Sequence, residues 1–463
     1  FFLIFIFFYL YIFLNIFLSD YSEEIIFKHI FYFRHIIFVF AVANLLLKNQ
    51  NLIFLFYKVL LITIFVVSID GIIQFLFDYN SLGYSKIRPD RLTGFFEDKM
   101  ILGSYLARLL PLCLGLFLYN YKILNKKNLL ISVFILIISF VTIILSGERM
   151  AFLTSLVFIL GTFILLNHSK KIKLSLFILT ISTISILMAI SPTLMNRHIQ
   201  QTVDQINFKF DSKNFFSNFV FYKDTYQTAF NGYLDNKIFG LGARSFRFFC
   251  SEPKYESTTK VKRVQLFSFI EPARKDDIIY IKNVNFKNNN FINKGDVIFT
   301  YLIKQEKQTY QHHLLAEDFD DKRLIDYSYH NFEGYKVSSN LNQLINKYVP
   351  TKNIYFVLRS NKTGCTSHPH NFYLQLLSET GILGFMFILI LFSYIIFLIC
   401  KSFILQMFNK KKFLTNFQIC LLLHFAITLL PIIPNGNFFN NWLSMIMFLP
   451  VGFYIFSVNK TKQ

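Results

Sequence analysis

The sequence predicts a polytopic, all-α membrane bundle with a large extracytoplasmic α+β domain, and three observations carry that expectation. Of 463 residues, 54% are hydrophobic and 60 are Phe. Charge-free apolar runs recur, among them Leu129 to Leu145, Met150 to Leu166, Leu174 to Ile190 and Ile382 to Cys400. Basic residues gather in alternate connections between such runs. A run approaching about 20 apolar residues crosses a bilayer as a helix, because a helix satisfies its own backbone hydrogen bonds in lipid. An outer-membrane barrel would instead give short, alternating segments.

The lysines set the topology. Lys48, then Lys122, Lys126 and Lys127, then Lys170, Lys171 and Lys173, then Lys401 and Lys410 to Lys412, then Lys460 and Lys462 mark the cytoplasmic side by the positive-inside rule. The net charge of +20 is thus a topology signal and does not point to nucleic acid. Counting between these clusters gives about ten transmembrane helices, near 1–18, 25–47, 52–77, 100–120, 129–146, 150–166, 174–190, 382–400, 417–433 and 442–457. The first lacks the basic start and small-residue cleavage site of a signal peptide, and the chain begins with Phe, so an upstream segment is left open. Lys28 and Arg34 interrupt the second. Asp70 and Arg108 fall inside the third and fourth. At about 1.5 Å rise per residue both would lie roughly 10–12 Å below the outer surface, at a depth where they can pair; orienting a substrate is the alternative.

The chain divides into helices 1–7 (residues 1–190), a periplasmic domain (191–370) and helices 8–10 (371–463). Four segments face outward: Asp78 to Lys99, the corner Ser146-Gly147-Glu148-Arg149, the large region from Ser191 to about His370, and Pro434 to Asn441. The large region is too long for a structureless loop. It reads as helical around Asn218 to Phe230 and β-rich near 255–350, with Ile278-Ile279-Tyr280-Ile281, an Asn288-Asn289-Asn290 turn, and Lys294-Gly295-Asp296-Val297-Ile298-Phe299. The last stretch resembles half of a biotinyl/lipoyl-type hammerhead but has no lysine at the modification position, so an inserted β-module is expected. Cys113, Cys400 and Cys420 lie in spans as apolar packing residues. Cys250 and Cys365 lie in the outer domain, either as a disulfide closing off the β-insert or as two free thiols.

Chemistry-bearing residues crowd the outer segments. His368-Pro369-His370-Asn371 leads through Glu379-Thr380-Gly381 into an apolar run, and Phe239-Gly240-Leu241-Gly242-Ala243-Arg244-Ser245-Phe246-Arg247 precedes the β-insert. Together with Arg88-Pro89-Asp90-Arg91-Leu92-Thr93-Gly94-Phe95-Phe96, the Ser146 to Leu153 corner and Pro434 to Asn441, these stretches resemble the O-antigen ligase and O-antigen polymerase superfamily of bacterial membrane glycosyltransferases. The resemblance covers most of the chain.

It implies an enzyme of the bacterial inner membrane that transfers glycan from undecaprenyl diphosphate to an acceptor sugar hydroxyl at the periplasmic face. The acceptor is a growing glycan or lipid A-core, and a chain-length regulator is a further partner. His370 is the expected general base and His368 the reserve, since an imidazole can take the hydroxyl proton as attack develops. Arginine matches a diphosphate by its planar fork. Arg149 is the first choice, followed by Arg91, Arg88, Arg247 and Arg244, with Asn371 and Asp70 as further substrate-binding candidates. One departure concerns the arginine that many ligases carry early in the large loop. Here that neighbourhood reads Phe221-Tyr222-Lys223, which hands the role to Lys223, Arg244 or Arg247 and favours a polymerase slightly. No cofactor or metal is expected: Asp318-Phe319-Asp320 beside His312-His313 reads as a solvated turn, and no Walker or dinucleotide motif occurs. A flippase would show polar breaks at the midplane of repeated halves, which are not found here. A non-catalytic chain-length factor would not need the His and Arg combination.

Overall fold

The computed structural model describes residues 2–167, 170–205, 222–252, 254–255, 263–265, 277–285, 290–291, 296–303, 309–314, 335–360, 365–408, 413–431 and 433–460. Phe221, the Lys294-Gly295 turn, the Asp318-Phe319-Asp320 triplet and Lys410 to Lys412 lie outside these residues. The protein is mainly helical and forms two compact units, residues 1–249 with 367–463, and residues 250–366.

In the first unit a helix forms at each of the ten apolar stretches: α1 (Phe2–Phe17), α2 (Ser22–Ile30) running through a short turn into α3 (Arg34–Lys48), α4 (Asn51–Phe77), α5 (Leu102–Asn120), α6 (Lys126–Leu145), α7 (Arg149–Leu165) and α8 (Lys170–Ile190). Four short helices follow, α9 (Pro192–Met195), α10 (Gln201–Gln205), α11 (Lys223–Asp235) and α12 (Phe246–Phe249), and then α13 (Phe372–Met407), α14 (Asn416–Thr428) and α15 (Asn441–Lys460). Among the described residues six helices are long and apolar enough to cross a membrane, and α8 with the helix after it adds a seventh candidate bent by 112°. This multi-pass character is consistent with a membrane protein. α1, α7 and α14 are apolar but shorter.

The helices pair α3 on α15, α5 on α14, α4 on α6 and α11 on α13. Leu106, Leu112, Cys113 and Leu116 of α5 are fully or almost fully buried, against Cys420 and Leu421 of α14 in the same core. α13 is broken at Gly381 (φ 64°, ψ −165°), so the run predicted from Ile382 begins just after the break.

The predicted domain boundary shifts. Residues 191–249 belong to the helical unit, because α11 packs on α13 and the 239–243 loop is sewn to α1: Asn15 Nδ2 donates to the Phe239 carbonyl at 2.6 Å and Ser19 Oγ to that of Leu241 at 2.6 Å. The second unit starts at Cys250. It holds two four-stranded antiparallel sheets made from β1 (Arg263–Gln265), β2 (Ile278–Val284), β3 (Asn290–Phe291), β4 (Asp296–Ile303), β5 (Thr309–Leu314), β6 (Tyr335–Ser339), β7 (Tyr348–Pro350) and β8 (Tyr355–Ser360), in orders β1-β8-β6-β3 and β5-β4-β2-β7. Both strands expected around 278–281 and 296–299 form and pair with each other, Ile279 opposite Ile303. Their alternation buries Ile279, Ile281, Phe299 and Tyr301. Cys250 and Cys365 are joined by a disulfide, with Cα atoms 4.8 Å apart, at the two ends of this unit.

Candidate active site

The site starts with two buried polar residues of α4 that fix the following outer loop. Asp70 accepts from Ser81 N at 2.9 Å and from Asn80 Nδ2 at 3.4 Å. Gln74 accepts from Thr93 N and Gly94 N, both at 2.8 Å. Asp70 therefore does not pair with Arg108, whose guanidinium turns to Ser104 O and Asn435 Oδ1. Its carboxylate anchors the loop that carries Arg88 and Arg91.

That loop meets the corner before α7. Leu92 N donates to Ser146 O at 3.1 Å, and Gly147, at φ 68°, brings its Cα against the Asp90 carbonyl, where any Cβ would collide with the oxygen. Glu148 does not balance Arg149. Burial pushes its carboxyl up, opposed first by the charge of Arg91, and it accepts from Gly103 N at 2.7 Å and Ser104 N at 3.2 Å, which caps the start of α5.

Four arginines converge here. Arg88 Nε and Arg197 Nε each approach the Asp90 carboxylate at 3.4 Å; Arg197 also donates to Gly147 O at 3.1 Å and Gln201 Oε1 at 2.6 Å. Arg149 Nη1 donates to Gln201 O at 3.0 Å, and Arg91 Nη2 to Met100 O at 3.0 Å. Arg91 Nε is buried with no hydrogen-bond partner among the described residues. Among the described residues, these four guanidinium groups thus share the Asp90 carboxylate, with Glu148, hydrogen-bonded to the start of α5, as a second negative charge within electrostatic range of Arg91. Such an excess of positive charge favours a polyanionic ligand.

Tyr222 joins this cluster to the histidines. It lies within electrostatic range of Arg149, Arg91 and Arg197, and its ring centroid is 5.2 Å from that of His370. The His370 and His368 rings are 4.2 Å apart. Burial holds the His370 imidazole below its usual range, and burial with the neighbouring His370 charge takes His368 down to about 3. His370 sits in left-handed backbone (φ 57°), held by Asn435 N donating to its carbonyl at 2.7 Å. Its ring makes no hydrogen bond among the described residues, whereas Ser367 Oγ lies 2.9 Å from His368 Nδ1. The arrangement offers a neutral, uncommitted imidazole next to an arginine cluster.

No family model, curated protein or solved structure matches the chain. Of the residues expected from sequence, Arg149, Arg91, Arg88 and, through Tyr222, His370 come together. Arg247 acts electrostatically on His368 and Arg244. Arg244, also at positive φ, uses its backbone N–H on Glu379 at 2.9 Å; Phe246 N uses the other carboxylate oxygen at 3.1 Å. Lys223 begins α11, and its side chain joins no ion pair or hydrogen bond among the described residues, so Tyr222 takes the position beside His370. Asn371 is the N-cap of α13, accepting from Tyr373 N at 2.9 Å and Leu374 N at 3.1 Å while donating to Pro431 O at 2.7 Å. Its amide thus holds the start of α13 against the Pro431 backbone. Asn371→Ala should lower stability by about 1 kcal/mol, read as a fall in unfolding temperature.

Sequence reasoning missed Arg197 and the role of Tyr222. Arg197 lies six residues after Ser191, in a π-helical turn (Asn196–Gln200) early in the outer region, where a lone arginine outside any motif was the only signal and its burial shows only in the fold. Among the described residues no three His, Cys, Asp or Glu side chains form a metal-holding group.

Proposed function

We propose that this chain is a membrane glycosyltransferase of the O-antigen ligase or polymerase type, acting at the periplasmic face of a bacterial inner membrane. It moves a glycan from undecaprenyl diphosphate to a sugar hydroxyl. The observation that carries this reading is the group of Arg88, Arg91, Arg149 and Arg197 around one carboxylate, with Tyr222 between it and an uncharged His370.

In this reading the arginines bind the diphosphate and take up the charge that grows as the bond from the anomeric carbon to phosphate oxygen breaks. His370 accepts the proton of the attacking hydroxyl as the new carbon–oxygen bond forms. In this reading Arg197 takes the early-loop arginine role instead of Lys223, Arg244 or Arg247, and the β-rich insert of the outer domain keeps a slight preference for a polymerase. Transfer to a growing glycan and transfer to lipid A-core use the same donor chemistry. The lipopolysaccharide gel of a deletion strain separates them: core plus one repeat for a lost polymerase, bare core for a lost ligase.

The test uses purified protein with lipid-linked donor and acceptor. Arg149→Ala and Arg197→Ala should each lower kcat/KM by about 10- to 100-fold, the worth of a charge-assisted hydrogen bond, with unchanged elution in detergent. Parental transfer rates in both variants would refute the reading.

A further inference from the structure

Arg108 forms no ion pair among the described residues, and the Glu148 carboxylate reaches it only as a longer-range charge. Its Nη1 donates to Ser104 O and its Nη2 to Asn435 Oδ1, both at 3.1 Å, and its Nε is buried without a hydrogen-bond partner among the described residues. Both acceptors are neutral. Among the described residues no carboxylate forms an ion pair with it: Asp70 is held by Ser81 and Asn80, and Glu148 by Gly103 and Ser104. A cation among apolar helices is costly to keep without a counter-charge.

The same guanidinium lines a cavity of about 100 Å³ between α5, α7 and residues 433–443. A single water needs roughly 10–15 Å³ on this measure, so the space admits a group larger than one water. Thr154, Asn435, Gly436 and Trp442 stand in its wall. None of Arg88, Arg91, Arg149 and Arg197 does.

We propose that this cavity is an oxyanion site in which Arg108 receives a carboxylate or phosphate group. The guanidinium fork matches either group in bidentate fashion, and the apolar residues that share the wall, such as Met150 and Leu443, lower the local dielectric and strengthen the attraction. The group can arrive on an acidic sugar or on a phospholipid headgroup, and the two share the chemistry that Arg108 recognises. The site does not depend on glycan transfer and stands or falls separately from it.

Trp442 is the chain's single tryptophan and sits in the cavity wall, so its fluorescence reports this site alone. The full chain in uncharged detergent is titrated with glucuronate, inorganic phosphate and, as the uncharged comparison, glucose. A saturable change in Trp442 emission is expected with glucuronate or phosphate and none with glucose. Arg108→Gln should weaken binding by about 10- to 100-fold. Gly436→Val leaves Arg108 intact but fills the lining, since a Cβ there meets only Leu443 Cδ2 at 3.4 Å, and it should abolish the response. Arg149→Ala should leave the response in place. Phosphatidylglycerol added to the micelles competes with phosphate if the natural source is a lipid headgroup and leaves the titration unaltered if it is an acidic glycan. An emission that never saturates, or that responds alike in the parent, Arg108→Gln and Gly436→Val, overturns the proposal.

Discussion

His370→Ala should cut the rate of glycan transfer by about 10²- to 10⁴-fold, with little change in donor binding, because a general base acts in the transition state and not in the ground state. The pH profile supplies a second reading. Burial disfavours the imidazolium, so His370 stays neutral below the ordinary imidazole pKa of about 6.5, and the acid limb of kcat should fall on the low side of that value. The same shift couples to stability. The unfolded chain takes up a proton at this residue near pH 6.5 while the folded one does not, so stability is lost as pH falls through that range and levels off below the folded pKa. Burial, with the neighbouring His370 charge, holds His368 down to about 3. If it were the base, His368→Ala would carry the rate loss and the acid limb would move far lower. Equal rates for the parent and His370→Ala would remove His370 from the chemistry.

Gly381→Ala should be the most damaging single change to the fold, on the order of 4 kcal/mol or more. At φ 64° and ψ −165° the residue occupies backbone that is open essentially to glycine alone. An added Cβ would also strike the Ile238 carbonyl oxygen, and from the opposite side a Cβ on Gly240 would come within 2.5 Å of the Glu379 carbonyl carbon. Two backbones touch here with no side chain to yield. The contact is sealed by Leu241 N to Ser378 O at 3.0 Å, Gly242 N to Glu379 O at 2.8 Å and Ile382 N to Lys237 O at 2.9 Å. Loss of the monodisperse peak in detergent chromatography is the expected outcome. Gly436→Ala, placed where an added Cβ has room, is the matched comparison and should elute normally.

Much of the helical framework was legible because burial in lipid and burial in a helix core both demand apolar runs, and these set where each helix lies. Depth along a helix was also legible, but direction around it was not. Asp70 and Arg108 were expected to meet because they lie at similar depth, yet each residue turns the side chain by about 100°, and the two face different neighbours. The arginine-rich corner could be found because Arg88, Arg91 and Arg149 flank Gly and Pro in short polar segments. Arg197 could not, since only the fold brings it next to Asp90, 107 positions earlier in the chain. Glu379 was visible as part of a motif, but its partners at Arg244 and Phe246 are distant in sequence, so its role as a backbone clasp was not.

The Cys250–Cys365 bond also bears on what a protease can do. It bridges a separation of 115 residues, at the points where the chain leaves the helical unit and returns to it. A single cut anywhere in 251–364 would leave the N-terminal helices and α13 to α15 in one covalent molecule, running as a full-length band until a reductant is added. The continuity of the helical unit does not depend on an intact peptide chain through its insert.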